Sequence, residues 1–270
     1  MLKSLGLDWL TISGAISDSS IDFFGKIVDL QDQQSAYDKR RPWRLLGYVG
    51  ESVGPVKMGF RADNRFLTQV SGELANTLTT SVRIPDDSTI TRCDYQVTLQ
   101  QDFPLSYIPK LYKRMLKNYT ASGGPKPQLH QSATGDTLYL CRRDSPIFLR
   151  LYDKGGEQGG PRGKILRLEV EYKKSKAMPA YDAWQASSER HNLIAGTVKS
   201  EFATRGIKLK YPTIDQPTIS SESREKLPDR QLAWLRRCVY PVIKDLSGNG
   251  YADDAHIALF GDRLNHQKLD

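Results

Sequence analysis

The stretch IFLRLYDKGGEQ (Ile147–Gln158) sets the reading of this chain. An apolar run carries Tyr152 between Arg150 and Lys154 and then meets a glycine pair. Side chains of a strand alternate between its two faces. If the run is a strand, Leu149 and Leu151 face a core, while Arg150, Tyr152 and Lys154 share the opposite face. Gly155 and Gly156 then end the strand and leave room for a backbone to approach closely.

Two other segments repeat this pattern. In TRCDYQVTLQ (Thr91–Gln100), Arg92, Asp94, Gln96 and Thr98 alternate with Cys93, Tyr95, Val97 and Leu99. In KILRLEVEYKK (Lys164–Lys174), Arg167, Glu169 and Glu171 alternate with Leu168, Val170 and Tyr172. If the three strands share a sheet, their polar sides form one surface carrying Asp94, Glu169, Glu171 and Tyr152. One reading is a solvated face crossed by salt bridges. The other is chemical. Three carboxylates suit a hard divalent ion, Mg²⁺ or Mn²⁺. A tyrosine between two cations suits attack on a phosphate, because cations stabilise the phenolate and lower its pKa from about 10. A covalent tyrosyl intermediate keeps the energy of a broken phosphodiester for rejoining.

Working outward, LDWLTISG (Leu7–Gly14) reads as a strand. SSIDFFGKIVDLQDQQ reads as a helix opening at Ser20, with an apolar stripe of Ile21, Phe24, Ile27 and Val28. From Trp43 to Leu78, strand-like runs alternate with glycines, as in a meander. Arg40, Arg41 and Arg44 beside Trp43 fit either a loop or a DNA contact. FPLSYIPKLYKRMLKNYT reads as a helix with an apolar stripe of Ile108, Leu111, Tyr112, Met115 and Tyr119. Its other stripe, Lys110, Lys113, Arg114 and Lys117, is a solvated face or a row of phosphate contacts. Lys173 and Lys174 extend the basic character past the carboxylate strand.

Each half of this region runs strand, helix, several strands, and each first strand holds an Asp–aromatic pair, Asp8-Trp9 and Asp94-Tyr95. That order suggests an internal duplication. The expected fold is therefore α+β, an antiparallel sheet with packed helices over residues 1–205. YDAWQASSERHNLIAGTVKSEFATRG closes it as a helix-like segment. A Pro- and Ser-rich linker (206–228) and a small helical C-terminal module (229–270) follow.

Composition bounds the partners. The 270 residues carry 39 Lys+Arg against 31 Asp+Glu, a net charge of +8, which suits a polyanion. The three cysteines are widely spaced and no two of the four histidines lie at ligand spacing, so a metal site must rest on carboxylates. His130 is either a lone nitrogen ligand or an ordinary surface imidazole. No phosphate-binding G-x-x-x-x-G-K-[ST] loop occurs. No apolar run is long enough for a membrane span, and the N-terminus lacks a signal-peptide pattern, so a cytoplasmic protein is expected.

LDWLTISG, TRCDYQVTL, TLYLCRRDSPIFLRLYDKGGEQ and RLEVEYKKSKA, with the distal RQLAWLRRCVYPVI, resemble the replication initiation factor family of rolling-circle plasmids and filamentous phages. The resemblance runs in order from Leu7 to about Gly261. It implies an origin-specific nickase that forms a 5′-phosphotyrosine link and frees a 3′-hydroxyl for the polymerase. Carried over, Tyr152 is the nucleophile, and Arg150 and Lys154 hold the scissile phosphate. Asp94 and Glu169 are metal ligands, with Glu171 as a third. The implied partners are a single-stranded or hairpin origin site, a host helicase and polymerase, and a second copy of the chain. Other readings are a conjugative relaxase of the same family, a non-catalytic DNA-binding regulator, and a carboxylate-metal nuclease that uses water.

Overall fold

The computed structural model describes residues 2–35, 40–122 and 125–211. The chain divides into two compact units, Met1–Ile219 and Ser220–Asp270. The expected helical module, and the expected linker from residue 212 onward, lie outside the described residues.

The first half is β1 (Leu2–Ala15), α1 (Asp18–Ser35), β2 (Arg41–Leu45), β3 (Tyr48–Val53), β4 (Val56–Arg61), β5 (Arg65–Ser71) and α2 (Glu73–Ser81). The second half is β6 (Thr89–Gln100), α3 (Tyr107–Ser122), β7 (Gln128–Ser132), β8 (Gly135–Leu140), β9 (Ile147–Asp153), the single turn α4 (Lys154–Glu157), β10 (Ile165–Lys173) and α5 (Ala177–Ala186). A last helix, α6 (Arg190–Ala203), follows. Each half is thus strand, helix, four-strand meander, helix, the duplication that the sequence suggested.

All ten strands form one sheet in the order β2-β3-β4-β5-β1-β6-β10-β9-β8-β7, and every neighbouring pair is antiparallel. In each half the last strand returns to pair with the first, β5 on β1 and β10 on β6. The two first strands pair with each other at the centre. The hairpin between β2 and β3 turns on Leu46 and Gly47, both at positive φ, as a two-residue turn that follows the strand twist requires.

One face of the sheet is apolar and carries the helices. Leu7, Leu10, Ile12, Tyr95, Val97, Leu151, Leu168 and Val170 are buried there with Ile194 and Val198 of α6. Tyr95 and Tyr172 meet edge to face, and the Tyr95 hydroxyl donates to the Ala180 carbonyl at 2.5 Å, so a buried phenol keeps a partner. Trp184 Nε1 in α5 donates to Thr79 Oγ1 in α2 at 3.0 Å, which ties the closing helices of the two halves together. Among the described residues, no long helix packs on the other face.

Three local readings differ from the structure. The buried side of α1 is Ser20, Phe23 and Ile27, while Ile21 and Val28 are exposed. The helix starts earlier than expected, with Ser17 and Ser20 in reciprocal hydrogen bonds, and this turns the stripe by one residue. The segment after Lys176 is two helices, α5 and α6, broken at residues 187–189. The chain also stays packed past residue 205. Ile207, Leu209 and Tyr211 are buried, and the Tyr211 hydroxyl donates to the Ala195 carbonyl at 3.0 Å.

Candidate active site

The alternating strands are neighbours. β10 pairs with β6 on one side and with β9 on the other. The register stacks Tyr152, Arg167 and Thr98 in one row, Arg150, Glu169 and Gln96 in the next, and Phe148, Glu171 and Asp94 in the third. These rows lie on the open face, because Leu149, Leu151, Leu168, Val170 and Tyr95 fill the other. The expected surface with Asp94, Glu169, Glu171 and Tyr152 is therefore assembled.

Its geometry is a chain of alternating charges. The Tyr152 hydroxyl donates to Glu169 Oε1 at 2.6 Å. An Arg150 guanidinium nitrogen lies 2.6 Å from Glu169 Oε2 and 3.5 Å from Asp94 Oδ2. Arg92 forks onto Asp94 at 2.8 and 2.5 Å and reaches Glu171 at 3.2 Å. Lys173 lies 2.9 Å from Glu171 Oε1. Arg167 donates to Thr98 at 3.0 Å and to Asp8 at 3.2 Å, and stands 3.9 Å from Glu169. Asp94, Glu169 and Glu171 are all nearly inaccessible to solvent despite facing the open side, because the arginine stems cover them. Beside Tyr152, residues Thr137, Tyr139, Arg150 and Glu157 help line a cleft of about 140 Å³.

Arg167 and Asp8 complete the site, yet neither had a role in the sequence reading. Asp8 is the extra residue of a β-bulge: Leu7 faces Tyr95 and Trp9 faces Asp94, so β1 spends two steps where β6 spends one. A bulge re-aims side chains near a site. Here it puts Asp8 beside Arg167 and Trp9 against Arg92 on the open face, where strict alternation would separate the two neighbours.

The electrostatics overturn one expectation. Burial, reinforced by the charge and hydrogen bond of Glu169, pushes the Tyr152 phenol well above its ordinary value, against the opposing charge of Arg167. The expected lowering by Arg150 and Lys154 does not occur. Arg150 is spent on Asp94 and Glu169. The Lys154 ammonium sits 5.7 Å over the Tyr152 ring and pairs with Glu157 at 2.7 Å. Burial also raises Glu169, with Arg150 opposing, and pushes Asp94 up to about 7 against the pull of Arg92 and Arg150. For Glu171, burial is outweighed by Arg92 and Lys173 and the net shift is downward. The site thus holds a neutral phenol bonded to a carboxylate of increased basicity.

The glycine pair works as expected, with protein backbone as the close neighbour. A Cβ on Gly156 would lie 1.8 Å from the Thr134 carbonyl oxygen, and one on Gly155 2.7 Å from that of Pro161. Asp153 caps the turn by accepting from Gly156 N at 3.3 Å and Gly163 N at 2.8 Å.

Other expected contacts separate. Lys110, Lys113, Arg114 and Lys117 are exposed on α3, whose Ile108 and Leu111 pack into the apolar side, so the stripe does not share the tyrosine's face. Lys173 lies on that face; Lys174 Nζ donates to the Asp144 carbonyl at 2.6 Å. His130 is exposed on β7, opposite Thr137, which faces Tyr152: the same face, two strands away.

Among the described residues, no three His, Cys, Asp or Glu side chains converge to hold a metal ion. The donor chemistry still fits a hard cation. All three carboxylates offer oxygen, and Glu169 Oε2 and Glu171 Oε2 are held only by ion pairs, to Arg150 at 2.6 Å and to Arg92 at 3.2 Å, which a divalent ion would replace. Mg²⁺ commonly takes one or two carboxylates and completes its shell with water and substrate phosphate.

The replication initiation factor family matches residues 106–257, which is 152 of 270 positions and more than half the chain. The chain belongs to the replication initiation factor family. The match spans β9, α4 and β10 and therefore includes Tyr152, Glu169 and Glu171; Asp94 and Asp8 lie upstream of it. This initiation factor also has the fold of a rolling circle replication initiator protein from Geobacillus stearothermophilus. The TM-score is 0.54 at 19% identity, over 73% of this chain and 84% of that one. No curated protein matches by sequence.

Proposed function

We propose that this initiation factor starts rolling-circle replication by nicking one strand of its origin with Tyr152. The observation that carries the reading is the 2.6 Å bond from the Tyr152 hydroxyl to the buried, basic Glu169 on the open face of the sheet. The phenol oxygen attacks the scissile phosphorus and its proton passes to Glu169 Oε1, which already accepts the hydroxyl's hydrogen bond. The bond from phosphorus to the 3′-oxygen breaks, and the leaving oxygen takes a proton from solvent. The products are a 5′-phosphotyrosine and a free 3′-hydroxyl. Arg150 and Arg167 flank Tyr152; both are paired with carboxylates in this structure and would turn guanidinium donors to the phosphate oxygens when DNA binds. Lys154 orients the ring from above. Asp94, Glu169 and Glu171 are the residues that would hold Mg²⁺ or Mn²⁺, which when bound polarises the phosphoryl oxygens.

The substrate on this reading is a single-stranded or hairpin origin site of a plasmid or phage. The test incubates the protein with supercoiled origin DNA and Mg²⁺. The expected product is a nick with protein attached to its 5′ end. A nick without attached protein points to a water-using nuclease, and salt-sensitive binding without a nick points to a regulator; either result overturns the proposal.

A further inference from the structure

We propose that the open face of the N-terminal half is a binding platform for the single-stranded DNA flanking the nick site. The inference rests on DNA being the substrate of the Tyr152 site.

The sheet is continuous across β1 and β6, so the Tyr152 face extends without a break over β1, β5, β4, β3 and β2. One register row links the two halves. Lys173 faces Arg92, Arg92 faces Thr11, Thr11 faces Gln69 and Gln69 faces Lys57. Five strands at a spacing of about 4.8 Å make this row roughly 19 Å long. It begins beside Glu171 and Asp94 and leads away from them.

Aromatic rings and cations interleave along the platform. The half-buried Trp9 ring has Arg92 4.6 Å from its centroid and Lys57 5.4 Å away. Further out, Arg61 lies 5.3 Å over the Tyr48 ring, but that ring is buried and Arg61 pairs with Asp63, so the accessible aromatic surface comes from Trp9 and Trp43. Trp43 lies over Gly59, where even a Cβ would come within 2.9 Å of the indole. Lys57, Arg65 and Arg41 alternate onto this face and make no ion pair among the described residues. No carboxylate of β2–β5 points to this side, since Glu51 alternates with Gly50 and Ser52 onto the other.

With no carboxylate to neutralise them among the described residues, these cations give the face a net positive charge that attracts a polyanion. Flat rings set among them suit exposed bases, because every base has a face that stacks on an aromatic side chain. A broad sheet face carrying aromatic residues fits a single strand with splayed bases. Duplex DNA instead presents phosphates and groove edges to an inserted helix or ribbon. The aromatic component therefore commits the site to single-stranded DNA.

The test uses the full chain with Tyr152→Phe, which separates binding from cleavage. Anisotropy of fluorescein-labelled oligo(dT) is read across a KCl series. Adding Lys57→Ala and Arg65→Ala is expected to reduce the salt slope by about 1.4, at about 0.7 per phosphate contact on a single strand. Trp9→Ala is expected to weaken binding about tenfold and Trp9→Phe by no more than a few-fold, since a phenyl ring still stacks. An unchanged slope and affinity in the charge variant overturn the proposal, as does an equal loss on blunt duplex of the same length. Because this readout needs no cleavage, it is independent of the nicking assay. Absence of a protein–DNA adduct with intact oligo(dT) binding defeats the nickase reading and leaves the platform. An adduct with no change in the platform variants does the reverse.

Discussion

The hydroxyl of Tyr152 donates to Oε1 of Glu169 across the β9–β10 pair at 2.6 Å. The two residues lie in adjacent rows of the register, Tyr152 opposite Arg167 and Glu169 opposite Arg150, so the bond is a diagonal one. It decides which form of the phenol rests in the site. A phenolate would sit against a carboxylate, whereas a neutral phenol has an acceptor already in place. On the proposed reading, activation of Tyr152 waits for the scissile phosphate.

If Glu169 takes the proton, Glu169→Gln keeps the shape and loses the base. Adduct formation on an origin oligonucleotide should fall by about 10²–10⁴-fold. The remaining rate should rise with pH across the range where hydroxide replaces the missing base. Single-turnover rates across that range check this. A near-parental rate for Glu169→Gln assigns the proton elsewhere.

Asp94 makes stability depend on pH. Its carboxyl is pushed up to about 7 in the folded chain, from an ordinary value of 3.8. The folded state therefore holds this proton over a range in which the unfolded chain has lost it. The stabilising contribution is full below 3.8, declines as pH rises towards 7 and is gone above that. Asp94→Asn cannot titrate, so the stability difference between parent and variant should change across about pH 4–7 and level off above it. Urea midpoints at several pH values measure this, and a constant difference would mean that Asp94 is ionised throughout.

Much of this site is legible in strand periodicity, because each of the three strands separates its apolar and charged side chains cleanly. Pairing is different. Arg167 and Asp8 are 159 residues apart, and nothing local to either says that β6 lies between their strands. The Asp8 bulge is hidden for the same reason: an extra residue is defined only by what faces it. The α3 stripe shows how periodicity misleads. It correctly gives a buried and a basic side, but it cannot say which side of the sheet the helix packs on. The sign of the Tyr152 shift failed likewise, since neighbours in sequence suggested cations and the neighbour in space is a carboxylate.

The glycines give opposite expectations. Gly156→Ala, in the α4 turn just past β9, places a methyl 1.8 Å from the Thr134 carbonyl oxygen and should cost about 1–3 kcal/mol, displacing Tyr152 as well. Gly25 lies inside α1 with nothing within 4 Å of an added methyl, so Gly25→Ala should stabilise by about 0.5–1 kcal/mol. Denaturant unfolding of the two variants checks both signs in one experiment, and a neutral Gly156→Ala would mean that the α4 turn yields easily.

Arg150 and a divalent cation compete for the same oxygens. The guanidinium reaches both Asp94 and Glu169, so an ion bound by those carboxylates shares its charge compensation with Arg150. Arg150→Ala removes the competitor and leaves buried carboxylates short of a cation. It should tighten Mn²⁺ binding in a calorimetric titration by about tenfold or more, while slowing nicking because a phosphate contact is lost. Asp94→Ala and Glu169→Ala should each weaken Mn²⁺ binding. Binding and catalysis thus move in opposite directions for the arginine and together for the carboxylates. If Mn²⁺ affinity is equal in all four proteins, these carboxylates do not hold the ion, and the buried charge network exists to position Arg150 and Glu169 around Tyr152.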